Sequence, residues 1–186
     1  PALSRPYVRS AWLLRLTRAC PVHRIPLVEL GAGADQSLRT DIAVIVRHGW
    51  AMLDAHAAGP DALPASDFSD YVHGRLLGRG GPSFLDKLPF HVAVPLTEMI
   101  GATLAFGPRF DHGKLSNEDW WKAGREGFTV TREGEEGFRA FLSSRLASFW
   151  DIEGAVGGPS LIGPLYNWLR FRSGDRDFAG VCALVR

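Results

Sequence analysis

The chain has 186 residues, of which 46% are hydrophobic and 22% are charged. This balance is typical of a globular protein with one domain of ordinary size or two small, tightly packed ones. Six Trp and eleven Phe argue against disorder, and no apolar run reaches the roughly 18 residues that a membrane span needs. The first residues carry prolines and arginines where a signal peptide has an apolar stretch. Because Cys20 and Cys182 are too few for a disulfide framework, we expect a cytoplasmic protein without a membrane segment.

The charges are unevenly distributed along the chain. The net charge is only +1, but residues 1–48 hold seven Arg against three acidic residues, while residues 49–151 hold ten basic and fourteen acidic residues. A basic N-terminal part on a mildly acidic body is compatible with contact to phosphates at one end. It is equally compatible with seven ordinary surface arginines.

Both ends of the sequence indicate a piece of a longer protein. The chain has no initiator Met, and it stops within the apolar run over 178–185. That run is typical of a helix cut before its cap. We therefore expect flanking segments on both sides.

Apolar spacing predicts a mostly α-helical fold of about eight helices, with at most one short β ribbon. The first helix is predicted over 7–19 and ends before Pro21, since proline disfavours helical backbone in the residue before it. A short β-leaning segment follows over 25–30. The later helices are predicted over 38–57, 68–77, 84 or 88 to 106, 116–127, 131–150, 161–169 and from 175 or 177 onward.

Cap and break residues set these limits. Ser66 or Asp67, Ser116 and Thr131 are expected to begin helices, and Pro95 to kink or split one. Residues 157–159 (Gly-Gly-Pro) are predicted to form a loop.

The loop over 31–35 divides the chain into a small N-terminal lobe, 1–35, and a helical domain, 36–186. The short links between the helices of the second part are also typical of helix-turn-helix folds. This pattern is common among small helical domains.

The most specific chemical feature is Cys20-Pro21-Val22-His23. Two soft ligands at this spacing, on a turn between a helix and a strand, form half of a tetrahedral zinc site. A closed site needs four ligands, and the nearest other candidates are His48 and His56. Taken alone, an isolated pair of this kind also occurs by chance.

The surroundings of this pair resemble the second half of the zinc-finger region of the TniQ family. These are the target-selection proteins of transposons whose transposase works with an AAA+ ATPase. The matching residues in this region are Arg9, Trp12, Cys20, Pro21, His23 and Leu27. The resemblance continues through Tyr71-x-x-x-Arg75-Leu76, Leu85-Asp86-x-Leu88-Pro89, Glu98-x-x-Gly101-Ala102-x-x-x-Phe106-Gly107, Leu115-x-x-x-Asp119-Trp120-x-x-Ala123-Gly124-x-x-Gly127-Phe128 and Gly163-Pro164-Leu165-Tyr166-x-Trp168-Leu169.

The resemblance implies a DNA-associated adaptor that recognises a target site, directly or through a partner, and recruits transposition proteins such as an AAA+ ATPase. It implies no strand-transfer chemistry. It also implies a partial zinc-finger-like lobe in which the Cys20 thiolate and the His23 imidazole hold a structural zinc ion. Family members carry a C-x-x-C pair upstream that this sequence lacks, so zinc is expected only where those ligands are supplied.

For direct DNA contact, arginines of the basic N-terminal part are expected to bind phosphates. The candidates are Arg9, Arg15, Arg18 and Arg24. A helix in the major groove, 116–127 or 133–149, would read the bases. Both helices are net acidic, which favours recognition through a partner.

Two alternatives stay open. The first is a helical protein-interaction module that does not bind DNA. The second is a small hydrolase that uses scattered residues such as His73, His91 and His112, although these lie in different segments with no consistent metal spacing. No catalytic site can be assembled from the motifs, and we therefore expect a binding protein and not an enzyme.

Overall fold

The computed structural model describes residues 12, 14–28, 42–57, 59, 61–148 and 157–185. Within these ranges the protein is mostly α-helical, as predicted, and its regular elements are ten α-helices and one 3-10 turn at Arg176–Phe178. The helices are α1 (Ile42–His48), α2 (Trp50–Ala57), α3 (Asp67–Leu76), α4 (Phe84–Lys87), α5 (Phe90–Phe106), α6 (Asn117–Thr131), α7 (Gly134–Ala147), α8 (Gly157–Ile162), α9 (Pro164–Phe171) and α10 (Ala179–Leu184).

The core is built around α5, whose residues from Val92 to Thr103 are almost all buried. Helix α6 lies directly against it, and glycines set the spacing between the two. A Cβ atom added to Gly101 would stand 1.7 Å from the carbonyl oxygen of Ala123, and one added to Gly127 would stand 1.8 Å from that of Thr97. Only glycine permits this backbone approach. Helix α9 also contacts α5, and α7, α9 and α10 contribute apolar side chains such as Phe138 to the same core.

Several predicted helix starts are confirmed. Ser66 caps α3 by accepting a hydrogen bond from the amide of Ser69. Ser116 and Asp119 form a reciprocal capping box at the start of α6, which satisfies two amides that have no partner within the helix. Asp175 caps the turn that leads into α10.

Two predicted boundaries are wrong. Helix α6 does not end at Gly127, because this glycine is needed for contact with α5, and it continues to Thr131. Thr131 is therefore not a cap: its buried hydroxyl contacts Thr97 Oγ1 at 3.1 Å and donates to the carbonyl of Gly127. The predicted loop over 157–159 is instead the first turn of α8, and the break lies at Gly163, whose φ is +57°.

Pro95 does not split its helix, because α5 runs through it without interruption. The separation that the sequence suggested falls earlier, at Leu88 and Pro89, between α4 and α5. The helix predicted over 7–19 is also wrong in its described part, since residues 14–16 form a turn and Ala19 lies in an antiparallel bridge with Pro26.

Helices α6 and α7 are joined by the two residues Arg132 and Glu133. The helix-turn-helix character expected of the short-linked helices in general stays a prediction. None of the described helices is both long and apolar enough to cross a membrane.

Candidate functional site

Residues 18–27 form a tight turn that reverses the chain direction, and we call this segment the knuckle. The amide of Cys20 donates to the carbonyl of Ile25 at 2.9 Å, and that of Leu27 donates to the carbonyl of Arg18 at the same distance. Within the turn, the amide of Arg24 donates to the carbonyl of Cys20 at 2.7 Å. Arg24 closes the turn with a φ of +58°, in the left-handed region that non-glycine residues rarely adopt.

The knuckle brings Cys20 and His23 together. Cys20 Sγ lies 3.6 Å from His23 Nδ1. Two ligands bound tetrahedrally to zinc, at about 2.3 Å for sulfur and about 2.0–2.1 Å for nitrogen, stand about 3.5 Å apart. The pair therefore fits half of a structural zinc site. Among the described residues, no group of three or more His, Cys, Asp or Glu side chains is placed to hold a metal ion.

Polar contacts fasten the knuckle to the helical body. The amide of Leu63 donates to the carbonyl of Arg24 at 2.9 Å, and Asn117 Nδ2 donates to the carbonyl of Leu27 at 2.6 Å. His56 Nε2 donates to the carbonyl of Pro26 at 2.8 Å. Ala19 is buried with Leu63 and Trp121 in a small apolar cluster. These contacts come from α2, from the segment before α3 and from α6, so three separate parts of the body hold the knuckle in place.

The strongest contact between the knuckle and the body joins Arg18 to Glu98 of α5. Arg18 Nε and Nη2 each donate to a different carboxylate oxygen at 2.9 Å, and the side chains are only 12% and 4% exposed. Arg18 also donates to Asn117 Oδ1 at 3.3 Å and lies over the ring of Trp120. Burial raises the pKa of the Glu98 carboxyl, and the Arg18 guanidinium opposes that rise.

A cleft of about 240 Å³ lies beside this ion pair. It is lined by Pro95, Glu98, Met99, His112, Trp120, Pro164 and Trp168. The His112 ring lies 4.7 Å from that of Trp120. The pKa of His112 is lowered by burial, and further by the positive charges of Arg15 and Arg18. Burial and these two charges thus favour the neutral imidazole of His112.

The four predicted DNA-binding arginines lie in different environments. Arg15 and Arg24 are exposed, and neither forms an ion pair with any described residue. Arg18 is engaged with Glu98, so its guanidinium serves an internal contact. Arg9 lies outside the described residues.

The three histidines of the hydrolase alternative are found in separate surroundings. His73 lies on α3, His91 contacts Asp177 and the ring of Phe178, and His112 contacts Trp120. None of these contacts joins two of the three histidines.

Sequence reasoning assigned no role to Glu98 or to the cleft. One signal was available: Glu98 is the only charged residue among the apolar positions of 92–106. A lone acid in such a helix is typical of a buried, paired charge. Its partner, 80 positions earlier, had no signal of its own.

Comparisons with protein-family models, with curated proteins and with solved structures find no match to this chain.

Proposed function

We propose that the chain is a non-catalytic, cytoplasmic adaptor that associates with DNA and recruits transposition proteins such as an AAA+ ATPase, in the manner that the TniQ resemblance implies. The observation that carries the proposal is the knuckle. Its Cys20 Sγ and His23 Nδ1 atoms stand 3.6 Å apart on a turn anchored to the helical body. Where further ligands complete a closed structural site, the zinc ion has no open coordination position, so it would stabilise the turn and not catalyse a reaction.

The exposed arginines next to this turn are the proposed phosphate contacts. Arg15 precedes the knuckle and Arg24 closes it, and both are exposed. Arg9 is retained on the resemblance alone. Arg18 has a different role here: it holds the knuckle against α5 through Glu98, and so orients the segment that carries the other arginines.

DNA binding is tested by fluorescence anisotropy of a labelled random-sequence duplex, titrated with the full chain at low and at physiological salt. We expect tight binding that weakens steeply with salt, because each phosphate contact releases counterions. The Arg15→Ala/Arg24→Ala variant should lower the slope of log affinity against log salt by about 2. The matched control is Arg139→Ala/Arg172→Ala, which removes the same charge from exposed ion pairs elsewhere and should leave the slope unchanged.

Absence of duplex binding even at low salt would overturn the direct-contact proposal. An equal loss in both double variants would mean that net charge alone drives the association.

The zinc role is tested with cobalt(II), whose thiolate complexes absorb in the near ultraviolet. We expect a thiolate band on titration of the chain, weak because two protein ligands leave the ion partly solvated. Cys20→Ser and His23→Ala should abolish it, while Cys182→Ser, a change at a buried cysteine near α9, should leave it intact. A band that persists in Cys20→Ser would contradict the assignment.

A protein-binding adaptor without DNA contact is the second candidate. It is favoured by large apolar side chains on the surface: Phe171 at the end of α9 is 84% exposed, and Leu146 on α7 is 55% exposed. The duplex titration separates the two candidates, since this one requires no binding at any salt concentration.

A further inference from the structure

The cleft beside the Arg18–Glu98 pair has the size of a site for one ring system. Its volume of about 240 Å³ equals the space of about eight water molecules. Pockets for drug-sized ligands begin at roughly 300 Å³. A single planar group with a short attachment therefore fits in this space.

The walls of the cleft are suited to a flat ring. Trp168 is half-buried and holds its own orientation by an edge contact with Phe178, at a centroid distance of 4.9 Å. Trp120 is held between neighbours that include Arg18 and His112. The aromatic walls are therefore fixed before a ligand arrives, which reduces the entropy that is lost on binding.

The charges near the cleft favour an anion attached to that ring. The negative charge of Glu98 is already balanced by Arg18 at 2.9 Å. Arg15 is exposed and lies three residues before Arg18, whose guanidinium contacts the cleft residue Glu98, and its positive charge is one cause of the lowered pKa of His112. Asp111, whose negative charge also acts on His112, is paired with Lys114 at 3.4 Å, whereas Arg15 forms no ion pair with a described residue. Its positive charge therefore favours a phosphate over a cationic ligand.

We propose that the cleft binds one unstacked nucleobase of a nucleic acid, with Trp168 and His112 against the base and Arg15 at the adjoining phosphate. The inference deepens the proposed function and rests on it, since it names the part of the nucleic acid that the chain holds. Base stacking on aromatic side chains tolerates different sequences because every base has a π-face. The cleft would thus add affinity for distorted or single-stranded nucleic acid without requiring a specific sequence.

The test compares two tryptophan variants of the full chain in binding a labelled single-stranded octanucleotide. Trp168→Leu removes the ring from the cleft, and Trp50→Leu removes an exposed ring from α2. Trp168→Leu should weaken binding by about fivefold to a hundredfold, and Trp50→Leu should not. Deoxy- and ribo-octanucleotides are both used. Binding of either one through Trp168 supports the proposal, and the one that binds shows whether the base comes from DNA or from RNA.

A second pair of variants keeps the test valid if Trp168→Leu does not fold. His112→Ala removes an exposed wall residue of the cleft, while His48→Ala removes an exposed histidine of α1. Only His112→Ala should weaken octanucleotide binding. Competition with adenosine 5′-monophosphate should displace the strand, and ribose 5-phosphate should not.

Equal behaviour of both variants in each pair would overturn the inference, and the duplex titration would still decide the proposed function by itself. Displacement by 3-methylindole but not by the nucleotide would also overturn it, since the cleft would then hold an aromatic side chain of a protein partner. A third result is also possible: the chain binds single strands through Trp168 but does not bind the duplex. That result would overturn the proposed duplex binding and leave the present inference standing.

Discussion

Arg18 and Glu98 form a bidentate ion pair although they are 80 residues apart in the sequence. Both N–O distances are 2.9 Å, and both side chains are almost inaccessible to solvent. A buried pair of this kind is costly to break, because the remaining charge loses its partner without regaining water. It therefore locks the knuckle to α5 and fixes the position of one wall of the cleft.

We predict that Arg18→Met lowers the free energy of unfolding by about 3–5 kcal/mol, measured by urea unfolding at neutral pH. The matched control is Arg139→Met, which breaks the exposed pair with Glu135 and should cost less than about 1 kcal/mol. Equal costs would show that the Arg18 pair is not buried in solution.

The cost of Arg18→Met should also depend on pH. Without Arg18, the effect of burial on Glu98 is opposed only by the charge of Arg15, and burial, the largest cause, raises the pKa of its carboxyl above the ordinary 4.5. The folded variant then holds a proton that the unfolded chain releases, so its stability falls as pH rises from 4.5 toward the raised folded pKa. The difference from the original chain should be smallest near the acid end of this window, and a difference independent of pH would contradict the explanation.

The contact between α5 and α6 gives a second prediction. Gly127→Ala places a Cβ atom 1.8 Å from the carbonyl oxygen of Thr97, so the two helices must separate. We expect a loss of at least about 1–3 kcal/mol in unfolding free energy. Gly80→Ala, where a Cβ atom meets nothing within 4 Å, should stay within about 0.5 kcal/mol of the original. A near-neutral Gly127→Ala would mean that the helices pack less closely than described.

Arg24 gives a third prediction, because it adopts a left-handed conformation that costs a non-glycine residue roughly 1–2 kcal/mol. Arg24→Gly should therefore raise the midpoint of thermal unfolding, by a gain in stability of up to about 1 kcal/mol after the added chain entropy of glycine. The same variant should weaken duplex binding, since it also removes a proposed phosphate contact. Arg79→Gly, at an exposed arginine without a positive φ, should give no gain in stability, and an equal gain there would contradict the strain at Arg24.

A fourth prediction concerns the pKa of His112, and it tests whether Arg15 lies near the cleft. Burial and the charges of Arg15 and Arg18 lower the pKa of His112 below the ordinary 6.5. Arg15→Ala should move that pKa upward, as followed by NMR titration of the imidazole resonances, whereas Arg24→Ala should not. No movement in Arg15→Ala would remove Arg15 from the edge of the cleft.

The pKa of His112 also sets a direction for stability. Since the folded protein binds a proton at His112 less readily than the unfolded chain, stability falls as pH drops from 6.5 toward the lowered folded pKa. In Arg15→Ala this fall should be smaller. Urea unfolding at several pH values between these limits measures it.

Local chemistry allowed much of the helical framework to be predicted. The start of α6 follows from Ser116 and Asp119, which satisfy free amides within one turn and need no distant partner. The close placement of Cys20 and His23 likewise follows from a two-residue spacing on a turn. The mostly α-helical class was predicted for the same reason, because the spacing of apolar residues can be recognised within each segment alone.

Long-range packing decided the rest. By residue type, Gly127 and Thr131 are expected at the end of one helix and the start of the next. Instead, Gly127 lies against the backbone of Thr97 and the Thr131 hydroxyl contacts the Thr97 hydroxyl, so α6 stays helical for a further turn. The cleft arises only where α5, α6 and α9 meet, and Arg18 meets Glu98 only because the knuckle docks there. Sequence by itself determined the starts of α3 and α6 and the placement of Cys20 beside His23. Tertiary structure decided which charges are paired and where a cavity remains, because burial and charge pairing depend on residues far apart in the chain.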